Sequence, residues 1–139
     1  RDGTPARVLE VGSGSGYQTA VLAQLVEEVH AIERIKSLAD RSRKILRQLK
    51  VRNVSIKHGD GAFEHDPKFV DSFDGILCAA APLEVPDTLL EKLKINGRLI
   101  LPVGEEKQRL QLITRLDGKI SIEDLESVRF VPLCMGAVR

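Results

Sequence analysis

The residues able to do chemistry in this sequence sit in three short stretches. The first is VLEVGSGSGYQTA, where Gly12, Gly14 and Gly16 alternate with Ser13 and Ser15 directly after an apolar run. Glycine tolerates positive φ and lets a ligand approach bare main chain. The second is Glu33, at the end of VHAIE, and the third is Asp60, within HGDG. A carboxylate at the tip of a second strand can accept both hydroxyls of a ribose, two charge-assisted hydrogen bonds at a fixed spacing. One at the tip of a third strand can accept from an adenine amino group while the Gly61 and Ala62 amides point at the ring. Each feature has a plainer explanation: a tight turn for the glycines, an exposed strand-end acid for Glu33, an Asx turn for Asp60.

The ligand class follows by comparing loops. A phosphate-binding Walker loop needs Gly-Lys-Ser/Thr, and no lysine lies near. A dinucleotide fingerprint needs GxGxxG, and its third glycine position here is Tyr17. The pattern is GxGxG instead. Glu10 is an acid inside an otherwise apolar run, where it could meet the ammonium of an amino-acid tail or bond the loop amides. Loop, Glu10, Glu33 and Asp60 together describe a pocket for an adenosine that carries an amino-acid tail and no pyrophosphate. That molecule is S-adenosylmethionine.

These residues need strand tips to hold them. ARVLEVG reads as a buried strand, VHAIE as a second, and NVSIKHGDG as a third with its loop. Residues 17–29 read as a helix with Val21, Leu22, Leu25, Val26 and Val29 on its face. Residues 35–50 read as a second helix, with a stripe of Ile35, Leu38, Ile45, Leu46 and Leu49. FDGILCAAAP is a fourth strand, residues 86–94 a short helix, and GRLILPVG a fifth strand. QLITRL, the Asp117-Gly118 turn and KISIEDLESVRFVPL then read as an antiparallel hairpin, both turn residues taking positive φ. The grammar is α/β: one doubly wound, mostly parallel sheet with an antiparallel edge. Right-handed crossovers put the strand C-termini on one edge. Gly12, Glu33, Asp60 and Ala79 all lie there.

Bulk properties limit the rivals. Lys plus Arg number 21 and Asp plus Glu 20, so no net field favours nucleic acid or an acidic membrane. One Tyr, four Phe and no Trp leave few stacking platforms. The basic run over residues 41–52 reads as a solvated helix face. No apolar run reaches the ~18 residues of a membrane span, and no secretory segment opens the chain. Cys78 and Cys134 read as reduced core thiols of a cytoplasmic protein, and no cluster suggests a metal. His30, His58 and His65 read as structural or solvated.

VLEVGSGSGYQTAVLA, HAIERI, NVSIKHGDG, FDGILCAAAP, GRLILPVGEE and VRFVPL together resemble the protein-L-isoaspartate O-methyltransferases, nearly from end to end. The resemblance implies a seven-stranded, Rossmann-like methyltransferase sheet. It implies transfer of a methyl group from S-adenosylmethionine to the free carboxyl of isoaspartyl residues in damaged proteins, releasing S-adenosylhomocysteine. By this resemblance the cofactor would lie against Glu10, Gly12, Ser13, Gly14, Gly16, Glu33, Arg34, Asp60, Gly61 and Ala62. Ala79 and Ala80 would border the methyl group. Arg129 and Val131 would receive the peptide backbone by edge pairing. Ala79 stands where many bacterial members carry Thr. Family members also carry a segment ahead of the glycine loop, with a serine near the substrate carboxyl. Nothing in these 139 residues corresponds to it, so the chain reads as a single-domain core, expected as a monomer. Other readings remain: a methyltransferase of another substrate, an NAD-dependent oxidoreductase, or a cofactor-binding module without turnover.

Overall fold

The structure, a computed structural model, describes residues 6–12, 16–129 and 133. Its strands are β1 (Arg7–Val11), β2 (Glu28–Glu33), β3 (Val54–His58), β4 (Phe73–Cys78), β5 (Leu93–Gly104), β6 (Gln108–Leu116) and β7 (Lys119–Val128). They form one sheet in the order β3-β2-β1-β4-β5-β6-β7. Pairing is parallel from β3 to β5 and antiparallel through β6 and β7. The doubly wound sheet with its C-terminal hairpin is thus as the alternation of elements implies.

Side chains alternate across β1, as a pleated strand demands. Leu9 and Val11 join Phe73, Ile76, Leu99, Leu101 and Ile113 in the larger core on one face. Val8 turns to the other face, against Ala23, Val26 and Val29. Both faces of the central strands are therefore covered, which is why their sequences run apolar without a break.

The helices differ from their sequence patterns in instructive ways. The first, α1 (Tyr17–Leu25), stops before Val26, which is already extended, and Val29 lies in β2 opposite Val8 and Val54. Its buried residues are Thr19, Ala20 and Ala23, whereas Val21 and Leu25 are 61% and 64% exposed. The cause is proximity. Gly16, the N-cap, has φ 89°, and a Cβ there would lie 3.0 Å from the Ser42 Cα of the next helix. A helix held that close fits only small side chains on its inner face. Its C-terminus is closed by Asn53, whose amide donates to Ala23 O at 2.8 Å and Val26 O at 3.2 Å. These orphan carbonyls would otherwise need solvent.

The second helix, α2 (Lys36–Gln48), buries Ala39, Ser42 and Leu46, and Leu49 is half exposed. The expected helix over residues 86–94 shrinks to the single turn α3 (Asp87–Leu90). Leu93 already pairs with Phe73, and the β4–β5 register then shifts, with Asn96 left-handed at φ 71° in the irregular stretch. Asn adopts that conformation more cheaply than most residues. The β6–β7 turn has two residues, since Leu116 pairs with Lys119, but only Gly118 takes positive φ. Among the described residues no helix is long and apolar enough to cross a membrane.

Gly16→Ala is expected to destabilise the chain by at least about 1–2 kcal/mol, from the left-handed backbone alone. Urea unfolding should show a lower midpoint at unchanged slope. An unchanged midpoint would mean that α1 and α2 are not held at this separation.

Candidate functional site

The strand order places a topological switch point between β1 and β4, whose following helices leave to opposite faces of the sheet. Chain segments part there and leave a crevice beyond the strand C-termini. A cleft of about 430 Å³ opens at this point. Gly12, Glu33, Arg34, Asp60, Gly61, Ala79 and Ala80 line it, so the structure gathers these residues, expected on four separate segments, around one space. Its apolar wall is Val11, Ile32, Ile35, Leu38 and Leu133. Sequence reading missed this wall: Ile35 and Leu38 fit the helix stripe equally well, and Leu133 belongs to the C-terminal run. A larger hollow of about 710 Å³ lies over Val8, Leu22, Gly75 and Arg98, at the amino-terminal half of the central strands. Its one acid is Asp74, and none of Glu10, Glu33 and Asp60 lines it.

Short bonds between neighbouring strand tips hold the cleft in shape. Gly12 N donates to Ile32 O at 2.8 Å, and Gly59 N donates to Glu33 O at 2.9 Å. His58 Nε2 lies 3.0 Å from Arg34 O, tying the tips of β2 and β3 together a second time. Glu33 is buried, and its Oε2 accepts the Ile35 N–H at 3.0 Å. Asp60 Oδ1 accepts the Phe63 N–H at 3.2 Å, the local turn bond that an Asp in this setting favours. The AAAP wall is braced by Cys78, whose thiol donates to Ala80 O at 3.3 Å. Burial pushes that thiol above its ordinary pKa, so it keeps the proton it donates. Leu133 N donates to Ala81 O at 2.9 Å, which brings that residue to the same wall.

Other candidate residues sit differently. Ala62 is fully buried in the core and does not line the cleft. Arg129 is exposed, just past β7, whose end at Val128 pairs with Gln108 beside the end of β5. It therefore emerges at the same sheet edge without lining the cleft. Gly16 faces α2, as described above. Ser13, Gly14, Val131 and Cys134 lie outside the described residues. Gly12 has φ 91°, and no described atom comes within 4 Å of a Cβ built there. Its lack of a side chain keeps open space beside the cleft wall.

Glu10 is 2% exposed and points to the α1 side of the sheet. Its Oε1 accepts the Thr19 hydroxyl, while Oε2 has no hydrogen-bond partner among the described residues. Thr19, one helical turn past the loop, is a partner that sequence reading did not single out. Burial raises the Glu10 pKa above 4.5, the Thr19 bond opposes this, and the Glu33 charge adds to it. A raised carboxyl pKa favours the fold fully below the ordinary range and loses that contribution as pH climbs through the folded value. Glu10→Gln removes the buried charge. Its urea midpoint should therefore exceed that of the parent chain at neutral pH, and the gap should shrink toward about pH 4. A gap independent of pH would mean that Glu10 titrates as a solvated acid.

A model of the family described as protein-L-isoaspartate(D-aspartate) O-methyltransferase matches residues 3–137. A protein-L-isoaspartate O-methyltransferase of Aeromonas hydrophila is 54% identical over 134 residues, 96% of this chain and 64% of that protein. One of Marinobacter nauticus is 53% identical over 138 residues, 97% of this chain and 61% of that protein. The chain thus spans less than two thirds of the length of these curated relatives. A Plasmodium falciparum protein described as a protein-L-isoaspartate O-methyltransferase, solved with S-adenosyl-L-homocysteine, superposes with TM-score 0.80 at 32% identity. That match covers 93% of this chain and 66% of the other. The chain belongs to the protein-L-isoaspartate(D-aspartate) O-methyltransferase family.

Proposed function

We propose that this chain is the cofactor-binding core of an enzyme that methylates the free carboxyl of L-isoaspartyl residues in damaged proteins, with S-adenosylmethionine as donor. One observation carries the reading: a cleft at the β1–β4 switch point has bare main chain at Gly12, with the acidic tip Glu33 on the next strand and Asp60 on the one beyond. Glu10 Oε2 behind it, without a hydrogen-bond partner among the described residues, fits a ligand with a cationic tail. In this reading Glu33 accepts the ribose hydroxyls, and Asp60 with Gly61 and the Ala62 main chain reads the adenine edge. Glu10 faces the ammonium across the loop that contains Ser13 and Gly14, Gly16 starts the helix behind them, and Arg34 borders the ribose. When bound, the donor supplies a methyl group on a positively charged sulfur.

The chain's own residues then have to bind, align and dry the reactants. A carboxylate with a pKa near ~4 is already ionised at neutral pH, so no general base is needed. The cleft wall accordingly offers small side chains, Ala79 and Ala80, where the reacting carbon would lie. Alignment of nucleophile, carbon and leaving group can supply ~7–11 kcal/mol of the barrier. Arg129 and Val131 are assigned to the peptide. The proposal assigns the cover over the cleft to a segment outside these 139 residues, in keeping with the longer relatives. It places the enzyme in the cytoplasm as a monomer, acting on isoaspartyl proteins rather than nucleic acid or membranes, with Cys78 a reduced thiol.

The direct test incubates the chain with methyl-labelled S-adenosylmethionine and two peptides that differ only in an isoaspartyl or aspartyl link. Label in the isoaspartyl peptide alone supports the whole reading. Tight S-adenosylhomocysteine binding without label in either peptide would restrict it to a cofactor-binding core. Stabilisation by NAD and none by S-adenosylhomocysteine would overturn it. Glu33→Ala should weaken S-adenosylhomocysteine binding roughly ten- to a hundredfold, because hydrogen bonds to a charged acceptor are worth ~1.5–3 kcal/mol. Unchanged affinity in a cooperatively folding variant would remove Glu33 from the site.

A further inference from the structure

Lys92 is an unusual residue for its position. It follows α3 at the start of β5, and it is 1% exposed. Lysine is almost never fully buried unless paired. Yet among the described residues no carboxylate comes within ion-pair distance of its ammonium. Its Nζ donates instead to two main-chain carbonyls, Glu64 O at 2.8 Å and Thr88 O at 2.7 Å. The charge sits among Glu91, Asp66, Glu64 and Asp60 at longer range, and burial lowers its pKa below the ordinary 10.5. Burying a cation on neutral acceptors costs stability, and an apolar residue of the same length would avoid that cost.

The carbonyls it reaches suggest what the arrangement does. Residues 60–64 form the turn that follows β3 and leads away from the cleft. Thr88, one helical turn before Lys92, donates its hydroxyl to Ala62 O in the same turn. Two side chains, Thr88 on α3 and Lys92 just past it, thus grip alternate carbonyls, 62 and 64. From inside the turn, Asp60 caps the Phe63 N–H. On the cleft side Gly61 is pressed so close to Ile32 that a Cβ would lie 2.9 Å from it. The turn is clamped between Ile32 on the cleft side and α3 on the core side.

We propose that Lys92, with Thr88, is a positioning residue for base recognition: it latches the 60–64 turn from the core side and so sets where Asp60 and Gly61 stand in the cleft. This rests on the reading that the cleft binds an adenosine with Asp60 at its base. Lys92 touches no ligand and acts through the turn. Removing it leaves the ribose end at Glu33 unaltered and loosens the base end. The consequence is a loss of discrimination between bases rather than a uniform loss of binding.

The test compares two ligands on the full chain. One is S-adenosylhomocysteine, and the other is S-inosylhomocysteine, in which the exocyclic amino group is replaced by a carbonyl oxygen. The parent chain should prefer the adenine compound. Lys92→Met, which keeps length and removes the charge, should cut that preference about five- to tenfold and change affinity for the inosine compound little. Thr88→Val should shift the ratio in the same direction, and Thr88→Ser, which restores the hydroxyl, should return it. If Lys92→Met does not fold, the Thr88 pair decides. A lower melting temperature with the preference ratio unchanged would make Lys92 merely structural and overturn the inference. A parent chain that binds neither compound would overturn the nucleoside reading of the cleft, and this inference with it.

Discussion

Parallel pairing of β1 with both β2 and β4 is the constraint from which the rest of the molecule follows. β1 lies between a strand reached by a helix on one face and a strand followed by a helix on the other. The main chain must part at its carboxyl end, and no side-chain choice can close that gap. The register carries Gly12 beside Ile32 and Val11 beside Ala79, through Gly12 N to Ile32 O at 2.8 Å and Ala79 N to Val11 O at 3.3 Å. Apart from Leu38 on α2 and Leu133, every cleft residue is placed by a strand tip or by the first residues after one. A site mounted on strand ends is held more stiffly than one on long loops.

The glycines of the loop answer to two different demands. Gly16 excludes a side chain because α2 is there, with Ser42 backbone at 3.0 Å. Gly12 has a left-handed backbone at φ 91°, and no described atom lies within 4 Å of a Cβ built there. One residue sets the distance between helices and the other keeps a wall open. Glu10 and Thr19 sit between them, a buried acid held at one oxygen by the first turn of α1. Its burial costs solvation, and its second oxygen has no hydrogen-bond partner among the described residues.

Much of this was legible in the sequence, and the exceptions share a cause. Strands 1 to 5 could be read because their apolar runs are short and bounded. Glu33 and Asp60 stand out as charged residues at the ends of such runs, and both line the cleft, though each also accepts a local main-chain N–H, from Ile35 and Phe63. Helix faces were misjudged where packing distance overrode hydrophobic period: Val21 and Leu25 fit a helix stripe but are exposed, and Ala20 and Ala23 take their place. Residues 86–94 read as helical with Pro86 near the start, yet pairing with Phe73 wins Leu93 for the sheet. Contacts between distant segments left no local trace. Asn53 closing α1, Leu133 reaching Ala81 and Lys92 gripping the 60–64 turn depend on the fold already being in place. A lysine flanked by Glu91 and Leu93 gives no sign in one dimension that it will be buried.

The central claim is that a nucleoside with an amino-acid tail lies in the crevice between β1 and β4. A crystal structure of the chain grown with S-adenosylhomocysteine tests it most directly. The account predicts the ribose hydroxyls on the Glu33 carboxylate and the base beside Asp60 and Gly61, with the homocysteine tail running past Gly12. Ligand density in the larger hollow over Val8 and Gly75, with the crevice empty and its strand tips unmoved, would contradict it.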